Sequence, residues 1–379
     1  MKFIHLSDLH LGKRVNQFSM LEDQKHILLQ ILSVVDTECP DAVLIAGDIY
    51  DTPQPPVAAV ELLDDFLTRL AERKMQVFII SGNHDSPERL AFGSRLMQLS
   101  GIHIAPAYTG IVEPFFLSDD YGQVAVYMLP FVKPAVVHSV FPDSEINSYT
   151  DAVNIAIEAM HIDAGIRNVL VAHQFVTGAS QSGSEELVIG GVDNVDASVF
   201  ASFDYVALGH IHGAQKAGGN AIQYCGTPLK YSFSEAGHEK SILVVELGKK
   251  GELETRTVPL TPLHDMRELK GSYEELTLKN NYETQNTEDY VHITLTDEED
   301  VLDAVSKLRA IYPNLMKLDY DNTRTRSGFE IVEATASENE SSPMDLFMAF
   351  FRNCNGKEMS CDQQAYVRSK IEKVWGEQQ

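Results

Sequence analysis

No two cysteines in this 379-residue chain are spaced as C-x-x-C: Cys39, Cys225, Cys354 and Cys361 lie far apart or seven residues apart. That excludes a disulfide framework and a zinc ribbon, and it fits a reducing cytoplasm. No stretch approaches the roughly 18 apolar residues of a membrane span. Lys2 runs at once into a strand-like segment, so no secretory leader is expected. Positive charge is scarce as well. Lys and Arg number 30 against 55 Asp and Glu, for a net charge of −25. The deficit is spread along the chain, −15 over residues 1–263 and −10 over 264–379. No basic domain stands out to grip a nucleic acid by counterion release. Ordinary solubility accounts for an acidic surface equally well. What is present reads as globular, with 44% hydrophobic and 8% aromatic residues. The length supports a large core with one or two smaller units.

Five short apolar runs each stop at residues able to ligate a metal. Phe3–Leu6 leads into Asp8 and His10, and Ala42–Ala46 into Gly47 and Asp48. Val77–Ile80 leads into Gly82, Asn83, His84 and Asp85. Val169–Ala172 leads into His173, and Tyr205–Leu208 into Gly209, His210, Ile211 and His212. Each run has the length and composition of a buried strand. Open α/β sheets bind ligands at the carboxyl ends of their strands. The five ends can therefore gather seven O and N donors: Asp8, His10, Asp48, Asn83, His173, His210 and His212. That is enough for two ions sharing one carboxylate, and paired ions suggest phosphoester cleavage. Asp48 is the natural bridge, handing one oxygen to each ion. Asp8 and His10, at alternate positions, point to one side of an extended segment. After Gly209 the imidazoles of His210 and His212 can diverge, one to each ion. Glycines 47, 82 and 209 permit tight turns and close backbone approach. Singly these signals are weak; in this order, all at strand ends, they are strong. Imidazole and carboxylate donors without thiolate suit Mn, Fe or Zn.

Helical patterns separate the strands. Leu21–Val35 and Val57–Leu70 repeat apolar residues at helical spacing. Ser86 and Pro87 predict a capped helix over Pro87–Leu99, and Ala152–Ile162 is another. Alternation of strand and helix gives an α/β domain. Val124–Leu129 and Ser241–Leu247 suggest a second sheet. This body, 1–263, is followed by a smaller α/β unit over 264–340. There Val291–Leu295 and Leu315–Tyr320 read as strands and Val301–Ile311 as a helix, and Ser337–Ser342 looks like a linker. Residues 341–379 form a helix-loop-helix. Ser342, Pro343 and Asp345 would open its first helix, which presents Leu346, Phe347, Phe350 and Phe351 and stops at Gly356. Ser360 and Gln363 box the second, with Val367, Ile371, Val374 and Trp375. A pair this short cannot bury that surface alone.

The motif set resembles the calcineurin-like metallophosphoesterases, whose signature is D-x-H, G-D, G-N-H-D, a lone H and G-H-x-H. Gly82–Phe92 and Gly226–Glu235 narrow the resemblance to the bacterial nuclease subunits of that family. It implies an α/β fold, a four-layer αββα sandwich with a smaller capping domain and the terminal helix pair. It assigns Asp8, His10, Asp48 and His212 to one ion, and Asp48, Asn83, His173 and His210 to the other. The ions are expected to be Mn2+, with Mg2+ or another divalent ion as substitutes. His84, not a ligand, would stabilise the charged transition state and protonate the leaving oxygen. Asp51 would hydrogen-bond to His84 and fix its tautomer, or else cap a helix before Pro53.

The implied activity is a DNA nuclease of repair and recombination: ATP-dependent exonuclease on duplexes, endonuclease on single strands, hairpin cleavage. Its implied partner is a large coiled-coil ATPase, docked on Phe347, Phe350, Phe351 and Trp375. A homodimer within a heterotetramer, located in the cytoplasm at the nucleoid, is also implied. Lys13, Arg14 and Arg89 lie beside the motifs and could touch DNA phosphates, although each alone reads as surface solvation; Arg324 and Arg326 carry the same caution. The other histidines and Cys225 read as structural. A small-molecule phosphodiesterase or phosphatase would present the same site. A metal-free scaffold would have lost ligands, and none is lost.

Overall fold

The computed structural model describes residues 1–180, 193–325, 344, 347–348, 350–352 and 357–376, with no side chain described beyond 371. Of the expectations above, those on Arg326, Ser337–Ser342, Pro343, Asp345, Leu346, Cys354, Gly356 and the side chains of Val374 and Trp375 lie outside the described residues. The chain divides into two compact units, Met1–Met266 and Arg267–Gln379.

The large sheets of the first unit are built from β1 (Lys2–Leu6), β2 (Ala42–Ala46), β3 (Gln76–Ile80), β4 (Ile102–Ile104), β5 (Phe115–Asp119), β6 (Gly122–Leu129), β7 (Arg167–His173), β8 (Tyr205–Gly209), β9 (Gln215–Lys216), β10 (Ile222–Tyr224), β11 (Ser241–Leu247) and β12 (Leu253–Pro259). They form two six-stranded sheets, in the orders β12-β11-β1-β2-β3-β4 and β9-β10-β8-β7-β6-β5. The central strands are parallel; antiparallel strands close both edges of the second sheet and one edge of the first, whose other edge, β4, is parallel to β3. Alternate residues of both sheets meet in one core that includes Phe3, Leu44, Phe78, Val126, Val171 and Ala207. The opposite residues of the first sheet, such as Ile4, Val43, Ile45 and Ile79, are equally buried. Parallel strands buried on both faces read as continuous apolar runs, as these do.

Helices complete the four layers. α1 (Leu21–Glu38) buries Ile27, Leu28, Ile31, Leu32 and Val35, and α2 (Val57–Glu72) buries Leu63, Phe66, Leu67 and Leu70. They are the crossovers between β1, β2 and β3. α3 (Tyr149–Glu158) packs Ala152, Val153, Ala156 and Ile157 on the outer face of the second sheet. It starts earlier than its apolar repeat, because the Ser148 side chain caps it through the Asp151 amide at 3.1 Å.

Three expectations change. Pro87–Leu99 is not one helix: it is helical over Pro87–Leu90, breaks at Gly93 with φ +76°, and resumes over Ser94–Met97. Ser241–Leu247 belongs to the first sheet, antiparallel to β1. Val301–Ile311 is helical only over Ala304–Arg309, because Asp303 takes a left-handed φ of 55°.

The second unit holds β13 (Met266–Gly271), β14 (Tyr290–Leu295) and β15 (Leu315–Tyr320) in one sheet, with a core of Val291, Ile293, Leu295, Leu308, Tyr312 and Leu315. In its last helix, α4 (Cys361–Gly376), the Ser360 and Gln363 box forms: Ser360 N–H donates to Gln363 Oε1 at 2.9 Å, and Gln363 N–H to Ser360 Oγ at 3.3 Å.

Arg167 staples the end of the sandwich opposite the strand tips. Its buried guanidinium donates to Asp119 at 3.0 Å, to Gly122 O at 2.8 Å and to Gly248 O at 2.9 Å, joining both sheets. It holds the Asp119 carboxyl well below the usual carboxylate range. Asp119→Asn leaves a buried guanidinium without its counter-charge and is expected to cost about 3 kcal/mol. A carboxylate with a depressed folded pKa contributes stability above its unfolded pKa and loses it in acid. Urea unfolding should therefore show the full deficit at pH 7 and a narrowing gap from wild type below about pH 4.

Candidate metal centre

The five strand tips meet, but from two sheets. β1, β2 and β3 come from one, β7 and β8 from the other. In-register pairing sets the tips level: Leu6 lies opposite Ile45, Ala46 opposite Ile80, and Gly209 opposite His173. Beyond the strands the loops stay paired. Asp8 N–H donates to Gly47 O at 3.0 Å and His10 N–H to Asp48 O at 2.9 Å. Asp85 ties the third loop to the second, accepting Ile49 N–H at 3.0 Å, Gly82 N–H at 2.9 Å and Tyr50 N–H at 2.9 Å. Other bonds cross between the sheets. His173 Nδ1–H donates to Ala46 O at 2.8 Å, the His210 amide to Asp8 Oδ1 at 3.0 Å, and His5 Nε2–H to Leu208 O at 3.1 Å. Burial pushes His5 down to about 3, so it is a neutral structural imidazole.

This closeness has a steric consequence. A Cβ on Gly209 would stand 1.8 Å from Ala46 O, and one on Gly47 (φ +85°) would stand 2.4 Å from His173 Nδ1. Asp8, His10, Asp48 and His210 adopt positive φ values of 52°, 44°, 47° and 103°. For residues other than glycine each is a strained conformation, of the kind that clusters at functional sites.

All seven donor residues converge. His173 Nε2 lies 3.4 Å and His10 Nε2 3.7 Å from Asp48 Oδ2. Asn83 Oδ1 is 3.0 Å from both His173 Nε2 and His210 Nδ1. His10 Nε2 and His212 Nε2 face each other at 3.3 Å. Donor atoms of Asp8, His10 and His212 lie within 4.8 Å of one another, as do those of Asp8, Asp48 and His173. Asp48 Oδ1 accepts the His84 amide at 2.9 Å, and Oδ2 is the oxygen nearest to both imidazoles.

Comparison with known proteins agrees with this geometry. Residues 1–214 match the calcineurin-like phosphoesterase family, and residues 262–355 match the family described as type 5 capsule protein repressor C-terminal domain. The chain is 37% identical over 338 residues to the SbcD subunit of nuclease SbcCD from Staphylococcus epidermidis, covering 87% of this chain and 89% of that protein. It is 34% identical over 380 residues to the SbcD subunit from Staphylococcus saprophyticus, covering 99% and 97%. The chain belongs to the calcineurin-like phosphoesterases, in the SbcD family. It is accordingly an enzyme, a metal-dependent nuclease. Among solved structures, a dimetal phosphatase from Danio rerio overlaps at 12% identity and a TM-score of 0.41, covering 69% of this chain and 98% of that one. That overlap is too loose to add to the assignment.

The donor set of this phosphoesterase fits divalent cations. In His10, His173 and His212 the Nδ1 side faces a protein oxygen: Asp51 Oδ1 at 3.4 Å, Ala46 O at 2.8 Å and Glu235 Oε1 at 3.5 Å. With the proton on Nδ1, Nε2 presents a lone pair inward. Two inward lone pairs 3.3 Å apart, on His10 and His212, repel unless a cation or a proton lies between them. Burial raises Asp8 to about 6. Burial opposes the charge on Asp48 also, yet the imidazoles of His173 and His10 hold it far below the carboxylate range. Burial alone would lower His173, but Asp48 and Asp8 raise it to about 9.

Several expected roles move. The Asp51 carboxylate is drawn to Lys13 Nζ at 2.6 Å and to His10, not to His84. His84 Nδ1–H instead donates to the Asp51 backbone carbonyl at 3.0 Å. Asp51 caps no helix either; α2 begins after Pro56. Lys13, spent on Asp51 and 5.7 Å over the Tyr231 ring, is not a free phosphate contact. Arg14 is tied to Gln17 O, Arg89 is exposed, and Arg324 pairs with Asp300 at 2.6 Å. Cys225 is buried with Sγ 3.0 Å from Ser7 Oγ, next to Asp8 but outside the donor set. Sequence reasoning missed Asp85, Gln24, Tyr231, Glu235 and Lys240. Gln24 and Tyr231 donate to the carbonyls of His10 at 2.7 Å and Leu9 at 2.6 Å. Of these, Asp85, Tyr231 and Glu235 sit inside quoted motifs without an assigned role; Gln24 and Lys240 carry no local signal.

Gly209→Ala should destabilise this centre by at least about 2 kcal/mol through the clash with Ala46. Differential scanning fluorimetry checks it against Gly219→Ala, whose new methyl meets nothing within 4 Å and should leave the melting point unchanged.

Proposed function

We propose that this chain is the DNA-cleaving subunit of a complex with an SbcC-type coiled-coil ATPase, hydrolysing phosphodiester bonds at a two-ion centre. The observation that carries the reading is Asp48 Oδ2, faced by His10 from one sheet and His173 from the other at 3.7 and 3.4 Å. Asp8, His10, Asp48 and His212 would hold one divalent ion. Asp48, Asn83, His173 and His210 would hold the second, with Mn2+ the preferred metal and Mg2+ a substitute. Bound ions would supply Lewis acidity at the phosphoryl oxygens and a nucleophile from water at neutral pH.

The chain's own residues do the rest. The His84 amide fixes Asp48 by taking its second oxygen. The His84 ring is more exposed than the donor histidines and aspartates and stands at the mouth of the centre, with Nε2 3.9 Å from Asp48 Oδ2. Its Nδ1 is committed to the Asp51 carbonyl, so Nε2 is the nitrogen that meets substrate. From there it can donate a hydrogen bond to the phosphate and pass a proton to the leaving oxygen. Asp85 holds the loop that presents it.

The acidic chain, at net −25, leaves phosphate binding to the ions and to the partner. Residues 264–340 form the capping, DNA-recognition domain. Residues 341–379 dock the ATPase through Phe347, Phe350, Phe351 and Trp375. Phe347 and Phe350 are 38% and 57% exposed, with rings 6.3 Å apart. ATP-dependent duplex digestion and hairpin opening follow from that association. Phe92 and Leu99, 84% and 86% exposed on the broken segment after Ser86, suit a homodimer contact within the heterotetramer. The setting is the cytoplasm, at the nucleoid.

Cleavage of single-stranded DNA should require Mn2+ or Mg2+ and stop with chelator. His84→Ala should keep both ions while turnover falls by about 10²–10⁴. Chelator-resistant cleavage overturns the function, and loss of metal binding in His84→Ala overturns the role of His84. Removal of residues 342–379 should abolish co-purification with the ATPase while single-strand cleavage persists.

A further inference from the structure

The imidazoles of the two proposed ion sites are supported differently. His10 and His212, both assigned to the first ion, each have a carboxylate behind Nδ1. Asp51 Oδ1 is 3.4 Å from His10 Nδ1, a charge contact short of hydrogen-bond alignment at that buried nitrogen. Glu235 Oε1 is 3.5 Å from His212 Nδ1. Each carboxylate also meets a lysine. Lys13 Nζ lies 2.6 Å from Asp51 Oδ1, the same oxygen that faces His10. Lys240 Nζ pairs with Glu235 and also donates to His212 O at 2.9 Å and to Thr227 Oγ1 at 2.6 Å. Glu235 is fully buried, and the lysine is what makes an ionised carboxylate tolerable there. Lysine, carboxylate and imidazole thus form two short chains whose inner ends, the Nε2 atoms, meet at 3.3 Å.

Among the described residues, the imidazoles assigned to the second ion lack such a carboxylate. His173 Nδ1 has a neutral acceptor, Ala46 O at 2.8 Å. His210 offers Nδ1 to the Asn83 side, and its buried Nε2 meets no hydrogen-bond partner among the described residues. Its remaining donor, Asn83, is uncharged, whereas the first site has Asp8.

We infer that Asp51–Lys13 and Glu235–Lys240 are positioning pairs that make the first site the tight one, so that the two ions bind in sequence rather than together. A carboxylate behind an imidazole fixes its tautomer and raises its basicity, and loss of such a partner weakens metal binding by about 10–100-fold. The lysines keep each carboxylate ionised and aimed while the surrounding charge stays balanced. The second ion then meets a weaker set of donors and is the one lost when divalent ions are scarce. This inference rests on the two-ion assignment above.

The test is titration of the metal-free, full-length protein with MnCl2 by isothermal calorimetry, with EPR of free Mn2+ as a second readout. Wild type should bind two ions in two resolved steps. Asp51→Asn and Glu235→Gln should each weaken the tighter step by about 10–100-fold and leave the weaker step within about threefold. Unchanged tight binding in both variants, or equal weakening of both steps, overturns the inference. Should Glu235→Gln fail to fold, Asp51→Asn at its half-buried position decides the question. A melting point of metal-free Asp51→Asn equal to that of wild type, together with a weakened first step, separates positioning from general destabilisation. A wild-type chain that takes up fewer than two ions overturns the two-ion reading and this inference with it.

Discussion

One buried carboxylate oxygen sets the terms for this structure. Asp48 Oδ2 lies between an imidazole carried on the first sheet and one carried on the second. To bring them there, the two sheets must end level and nearly touch at their carboxyl tips. That demand explains the missing side chains at Gly47 and Gly209, where a methyl would strike His173 or Ala46. It also explains four non-glycine residues with left-handed backbone in a single cluster. Each such residue costs of order 1–3 kcal/mol. The cost is offset by the amide web around Asp8, Asp48 and Asp85, and by the buried apolar body beneath.

Charge works in the same direction as shape. The cluster packs two carboxylates and four imidazoles out of water, and the carboxylates of Asp48 and Asp8 push His173 up against the effect of its burial. Cations would relieve both the carboxylate repulsion and the facing imidazole lone pairs. The lysines near the centre do not point at substrate; Lys13 and Lys240 are spent on the carboxylates behind His10 and His212. An acidic protein can therefore handle a polyanion only where cations are gathered, and the strand tips are that place.

Much of this is legible in the sequence. Buried parallel strands announce themselves as continuous apolar runs, and metal-binding side chains placed just past them mark the tips. Which sheet each strand joins is not legible, because Ser241–Leu247 and Val169–Ala172 look alike until paired. Pro87–Leu99 keeps helical periodicity across Gly93, and periodicity says nothing of a left-handed kink. Asp51 follows Asp48 by three residues and is expected to reach His84, whereas the carboxylate follows the nearest cation, Lys13. Glu235 and Lys240 lie more than twenty residues beyond His212, and only the folded chain brings them behind its ring. Support for a ligand comes from wherever the fold supplies it, while the ligand itself must sit at a strand tip. That difference is why the first is hidden and the second plain.

The central claim is tested most directly by anomalous diffraction from crystals of the protein grown with Mn2+. The account predicts two peaks flanking Asp48 Oδ2, one among Asp8, His10 and His212, the other among Asn83, His173 and His210. A single peak, or peaks that leave Asp48 unshared, would contradict it.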